Sequence, residues 1–119
     1  MSNIKMISLL TKLIEKTDQG KVLWEQTEAR DQFQAAFPDY AVRLSVRNRL
    51  IGDPDYILSV FNKDGNMIEE VSDVDLKSDL STSYSAMKNL HLAARRKAMG
   101  VDTALDRLLA ELDKTGDDL

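Results

Sequence analysis

The chain opens on a hydrophobic period of three to four. Ile4, Ile7, Leu10 and Ile14 form one stripe, widened by Met6, Leu9 and Leu13, while Lys5, Lys12, Glu15 and Lys16 fill the other side. That spacing predicts an amphipathic helix over Ser2–Thr17 with its apolar side turned to a core. Gly20 follows the last turn, where a residue of positive φ commonly ends a helix.

From Lys21 the period drops to two. Val22, Trp24 and Gln26 share one face, and Leu23, Glu25 and Thr27 the other. Phe33, Ala35 and Phe37 alternate next, Pro38-Asp39 marks a turn, and Tyr40, Val42, Leu44 and Val46 alternate again. This predicts a hairpin with Arg43 and Arg47 on its outer face. Glu28–Ala36 also admits a short helix, with Ala29, Phe33 and Phe37 at i, i+4 and i+8, but the alternation favours strand.

Gly52, Asp53 and Pro54 read as a loop. Tyr56–Phe61 is apolar on both faces apart from Ser59, which predicts a central strand covered on both sides. Asn62-Lys63-Asp64-Gly65 suits a type I turn with Gly65 in the left-handed region, joining that strand to Met67–Val71. Ser72–Leu80 is polar and acidic, an ordered loop with Val74 and Leu76 as its anchors.

The last third is helical. Ser81, Thr82 and Ser83 are N-cap residues for a helix in which Tyr84, Met87, Leu90 and Ala94 recur on one side, with Ala86 and Ala93 beside them. Gly100 ends it, and Asp102 caps a short final helix carrying Leu105, Leu108, Leu109 and Leu112. Residues 114–119 read as a flexible acidic tail. The expected fold is one α+β domain over residues 1–113: an N-terminal helix, a four- to five-stranded antiparallel meander and two C-terminal helices packed on the sheet. A meander leaves two edges, and Val22–Thr27 or Met67–Val71 is expected to be one of them, with Glu69 and Glu70 discouraging pairing at the latter. Leu105, Leu108, Leu109 and Leu112 exceed what a thin domain needs, so a homodimer through the final helix is expected.

Composition narrows the chemistry more than it adds to it. The 119 residues are 43% hydrophobic and 30% charged, an ordinary globular balance. The absence of cysteine removes disulfide frameworks, thiolate metal sites and thiol catalysis, and the single histidine cannot form a two-His metal site in one protomer. No cofactor is expected. Ile4–Ile14 is too short and too polar to span a bilayer, so a cytoplasmic protein with no membrane partner is expected.

The net charge of −4 is unevenly spread. Residues 53–79 hold Asp53, Asp55, Asp64, Glu69, Glu70, Asp73, Asp75 and Asp79 against only Lys63 and Lys77. Residues 81–100 hold Lys88, Arg95, Arg96 and Lys97 with no acid. Cations in a helix's last turn complement its dipole, which accounts for Arg95, Arg96 and Lys97 without any ligand. A functional reading joins Arg95, Arg96 and Lys97 to Arg43, Arg47 and Arg49 as a phosphate- or acid-binding face. A sequence pI of about 4.9 argues against nucleic acid as the partner. The acidic segment, in which Glu69, Glu70, Asp73 and Asp75 alternate with apolar residues, reads instead as a surface that docks a basic protein.

No catalytic motif in the chain is complete. Asp73-Val74-Asp75 begins like a calcium loop, but Lys77, Ser78 and Tyr84 fall where an oxygen ligand, Gly and Glu are required. Ser85-x-x-Lys88 and Lys114-Thr115-Gly116 resemble elements of the penicillin-binding proteins, yet their Ser-Asp-Asn element is missing. His91 sits at the edge of an apolar stripe with no carboxylate or nucleophile near it in sequence. No phosphate-cradling glycine loop or nucleophile elbow occurs. The expected function is therefore a non-catalytic protein-interaction role through charged faces. The alternatives are nucleic-acid binding through the arginines, and a small enzyme with a dispersed Arg/Asp/Glu site.

Overall fold

A computed structural model describes residues 3–117. Helix α1 (Ile4–Asp18) leads into strands β1 (Glu25–Gln26), β2 (Phe33–Ala36), β3 (Tyr40–Arg47), β4 (Asp55–Asn62) and β5 (Met67–Ser72). Three helices follow, α2 (Asp73–Leu76), α3 (Ser83–Ala98) and α4 (Val101–Asp117). All neighbouring strands pair antiparallel in the order β1-β2-β3-β4-β5, so the expected α+β meander with its C-terminal helices is present.

Helices cover one face of the sheet. Phe33, Ala35, Val42, Leu44, Leu58 and Val71 form one buried cluster with Leu10 and Leu13 of α1 and Met87, Leu90 and Ala94 of α3. Register explains the selection: Phe33, Leu44, Leu58 and Val71 stand directly across from one another through four strands. Val22 and Trp24 join this core, and the Trp24 indole Nε1 donates to Thr17 Oγ1 at 3.0 Å inside it. The period of two from Lys21 is thus correct for burial, although only Glu25 and Gln26 pair in the ladder.

The opposite face carries no helix, which corrects the expectation of a strand covered on both sides. Ile57 and Ser59 are buried there but lie outside the core cluster. Ser59 stands between Arg43 and Glu70 of the neighbouring strands, and Ile57 between Ser45 and Ser72. Long or flanking side chains shield them in place of a second layer.

Two connections differ from the sequence reading. Residues 28–32 form neither helix nor strand but a tight loop, in which Asp31 takes φ +57° and Thr27 Oγ1 bonds Gln32 Oε1 at 2.8 Å. The acidic loop contains α2, set by a capping box: Ser72 Oγ accepts from Asp75 N at 3.1 Å while Asp75 Oδ2 accepts from Ser72 N at 2.9 Å. Leu76 anchors this turn in the core, whereas Val74 is exposed.

Helix α4 is long, not short. Its 17 residues run through Lys114 to Asp117, where the sequence suggests fraying, and 118–119 lie outside the described residues. Thr115 Oγ1 bonds Glu111 O at 2.9 Å and Lys114 lies 3.7 Å from Glu111, extending the helix by local side-chain contacts. Whereas α3 seats on the sheet, α4 touches α3 and then projects. The radius of gyration is 17.0 Å and the longest dimension 64 Å; a compact chain of this length would have a radius of about 13–14 Å. Among the described residues no helix is long and apolar enough to cross a membrane.

The β4–β5 turn closes as expected, with Gly65 N donating to Asn62 O at 3.0 Å and Gly65 at φ +83°. A Cβ at Gly65 would meet nothing within 4 Å, so a substitution there strains only the backbone. Gly65→Val should cost more than roughly 1 kcal/mol of unfolding free energy, and Leu58→Ala about 2–5 kcal/mol. Denaturant titration measures both, and wild-type midpoints would contradict the assignment of turn and core.

Candidate functional site

Three surfaces collect the chemistry that the sequence singles out. The first is a cleft of about 450 Å³ between the β3–β4 loop, α2 and the start of α3, lined among others by Arg49, Asp53, Asp55, Asp73, Lys77 and Tyr84. Its buried polar groups are committed to the fold. Asp73 is only 6% exposed, and its Oδ1 accepts the Tyr56 backbone N–H at 2.8 Å. Ser83 Oγ, also buried, donates to the Asp73 carbonyl at 2.7 Å. Arg49 pairs with Asp55 at 2.7 Å. Among the described residues no group of three His, Cys, Asp or Glu side chains is placed to hold a metal ion.

His91 lies behind this cleft, buried against the rings of Phe33 and Tyr56 at centroid distances of 5.3 and 5.5 Å. Its Nε2 stands 2.8 Å from the Asp31 carbonyl, which can only accept, so Nε2 carries the proton. The imidazole therefore fastens the 28–32 loop to α3. Tyr56 meets Tyr84 edge-on at 5.7 Å, and burial, followed by the neighbouring Tyr84, pushes the Tyr56 phenol above its ordinary value near 10.

The second surface is the open sheet face. Arg43 and Arg47 stand on it as expected, but each is engaged. Arg43 Nε donates to Gln34 Oε1 at 2.6 Å while its guanidinium lies 4.2 Å over Phe61, and Arg47 lies 3.6 Å from Glu70. Arg95 and Arg96 belong to α3, in the layer against the other face, where Arg96 pairs with Asp102 at 2.6 Å. The arginines that could form one phosphate track are thus divided between two layers.

The acidic residues divide in a similar way. Glu69 and Glu70 are exposed on β5, an edge of the sheet. Asp73 and Asp75 hold the β4 start and the α2 cap, so reversing their charge would damage the fold as well as any interface.

The third surface is α4. Leu105, Leu108, Leu109 and Leu112 are 46, 57, 61 and 63% exposed, and none of them belongs to the core cluster. Leu92 and Met99, exposed on α3 and at its C-terminal end, and Leu50 and Ile51, at the tip of the β3–β4 loop, add smaller apolar spots. Sequence reasoning found the leucines but missed Leu50 and Ile51, for which a two-residue apolar step offers no period to read.

Asp73→Ala should cost about 1–3 kcal/mol by leaving the Tyr56 N–H buried without an acceptor. The Tyr56 phenol binds its proton more tightly folded than unfolded. Its contribution to stability is therefore intact below about pH 9 and falls as pH rises through 10 and above. Tyr56→Phe should accordingly flatten the loss of thermal midpoint between about pH 9 and 11, relative to wild type. Parallel curves for the two proteins would refute that assignment.

No known protein family, no curated protein and no solved structure matches this chain, so the surfaces have to be read from their own chemistry.

Proposed function

We propose that this chain is a non-catalytic protein-interaction module that docks a polypeptide on the leucine face of α4. The observation that carries the reading is that apolar exposure: four leucines within eight residues, each about half exposed, on a helix that projects from a finished core. Contiguous apolar surface of this kind marks an interaction site. Glu69 and Glu70, exposed on β5, supply a charged surface elsewhere on the body that favours basic partners.

The buried groups favour the same reading over an enzyme. Asp73, Ser83 and His91 each bond a backbone group, which uses them as structural ties and leaves no converging pair for proton transfer. Nucleic-acid binding has less support, because Arg43 and Arg47 are separated by the sheet from Arg95 and Arg96. The cytoplasm, expected because Ile4–Ile14 is too short and too polar to span a bilayer, is the location that goes with this reading.

The test is affinity capture with wild type and with the double variant Leu105→Glu, Leu108→Glu. Both sites are solvent-facing, and Glu forms helix nearly as well as Leu, so the body should keep its thermal midpoint. The variant should lose the polypeptide that wild type retains, whether a second copy or another chain. Identical recovery by both proteins would overturn the reading.

A further inference from the structure

We infer that α4 docks on α4 of a second copy of this chain, side by side and parallel. The inference rests on the reading of α4 as a docking face and names its occupant.

The spacing of the stripe comes first. Val101, Leu105, Leu108 and Leu112 follow one another by four, three and four residues, the d-a-d-a seam of a two-helix coiled coil. At about 25 Å, α4 is long enough to bring four such layers together. A helix of this length with no covering element derives little stability from its own body, since packing of the apolar face supplies most of it.

The flanks then choose the partner and the orientation. One side of the seam carries Leu109 with Asp106, Asp113 and Asp102, the last paired with Arg96 of its own chain at 2.6 Å. The other carries the small Ala104 with Arg107, Lys114 and Glu111, the last held by Lys114 at 3.7 Å in its own helix. In a parallel pair Leu109, at an e position, covers the small Ala104 at a g position of the second copy. An antiparallel pair would instead set Leu109 against Asp102 and Ala104 against Glu111. The surface is therefore complementary to itself in one direction only.

The attachment of α4 supports a defined presentation. Gly100 turns the chain at φ +62°, and Arg96 to Asp102 at 2.6 Å ties the first turn of α4 to the end of α3. The seam thus leaves the body at a set angle.

Sedimentation of the purified full chain at on the order of 100 µM should give twice the single-chain mass, and Leu105→Glu with Leu108→Glu should return it to the single-chain mass. The cysteine-free chain permits a direct test of direction. Leu112→Cys alone, and Val101→Cys alone, should each form a disulfide-linked dimer under mild oxidation. In an antiparallel pair Leu112 faces Val101, which leaves the two introduced thiols of Leu112→Cys about 16 Å apart along the axis, beyond the roughly 7 Å that a disulfide spans. Single-chain mass at that concentration overturns the inference. So does a mixture of the two variants in which Leu112→Cys cross-links only to Val101→Cys and neither cross-links to itself. If the purified chain stays single while captured polypeptide still depends on Leu105 and Leu108, self-association fails and the docking reading survives. If neither depends on the leucines, both fail.

Discussion

The constraint on which the structure depends is the width of its sheet. Five strands spaced about 4.8 Å apart span about 19 Å, and two helices of about 10 Å diameter cover that width completely. Helices α1 and α3 are those two, with Leu10, Leu13, Met87 and Leu90 closing over Phe33, Leu44 and Leu58. Beside them the one-turn α2 inserts Leu76 into the same core, and α4 meets the body through α3. Helix α4 then leaves the body, and its leucines are surplus to the core.

The opposite sheet face has no helix over it: Ile57 and Phe61 lie there among Ser45, Ser59 and Ser72, with Arg43 and Glu70 on the strands either side of Ser59. The Arg43–Gln34 bond, the Arg43–Phe61 stacking and the Arg47–Glu70 pair keep these chains flat on the face. Such contacts between exposed charges contribute little stability each, but they occupy the cations that a ligand would need. The buried polar residues work differently: Asp73, Ser83 and His91 tie α2, α3 and the 28–32 loop to fixed backbone positions.

Periodicity carries most of this in the sequence. The stripes of α1 and α3, the alternation at Val42 and Leu44, and the Asn62–Gly65 turn report local geometry that no distant contact overrides. What stays hidden depends on neighbours. Ile57 and Ser59 read as a strand buried in two layers, because the sequence of β4 does not say whether a helix or an arginine covers it. Asp73 and Asp75 read as free surface charge, because a capping box and a bond to Tyr56 N need the turn in place before they can be seen. The leucines of α4 are legible as an excess, while the direction in which the helix leaves the body is not. That direction is set where α3 ends, by Gly100 at φ +62° and the Arg96–Asp102 pair, which need the two helices in place before they can be seen.

The central claim is that α4 is not part of the core of its own chain and gains cover only by association. Amide hydrogen exchange on the full-length protein across about 1–100 µM tests it most directly. Exchange at Leu105–Leu112 should slow as concentration rises, while α1, β3, β4 and α3 keep constant protection. If α4 is as protected as α3 at the lowest concentration, its leucines are covered by their own chain and the account is wrong.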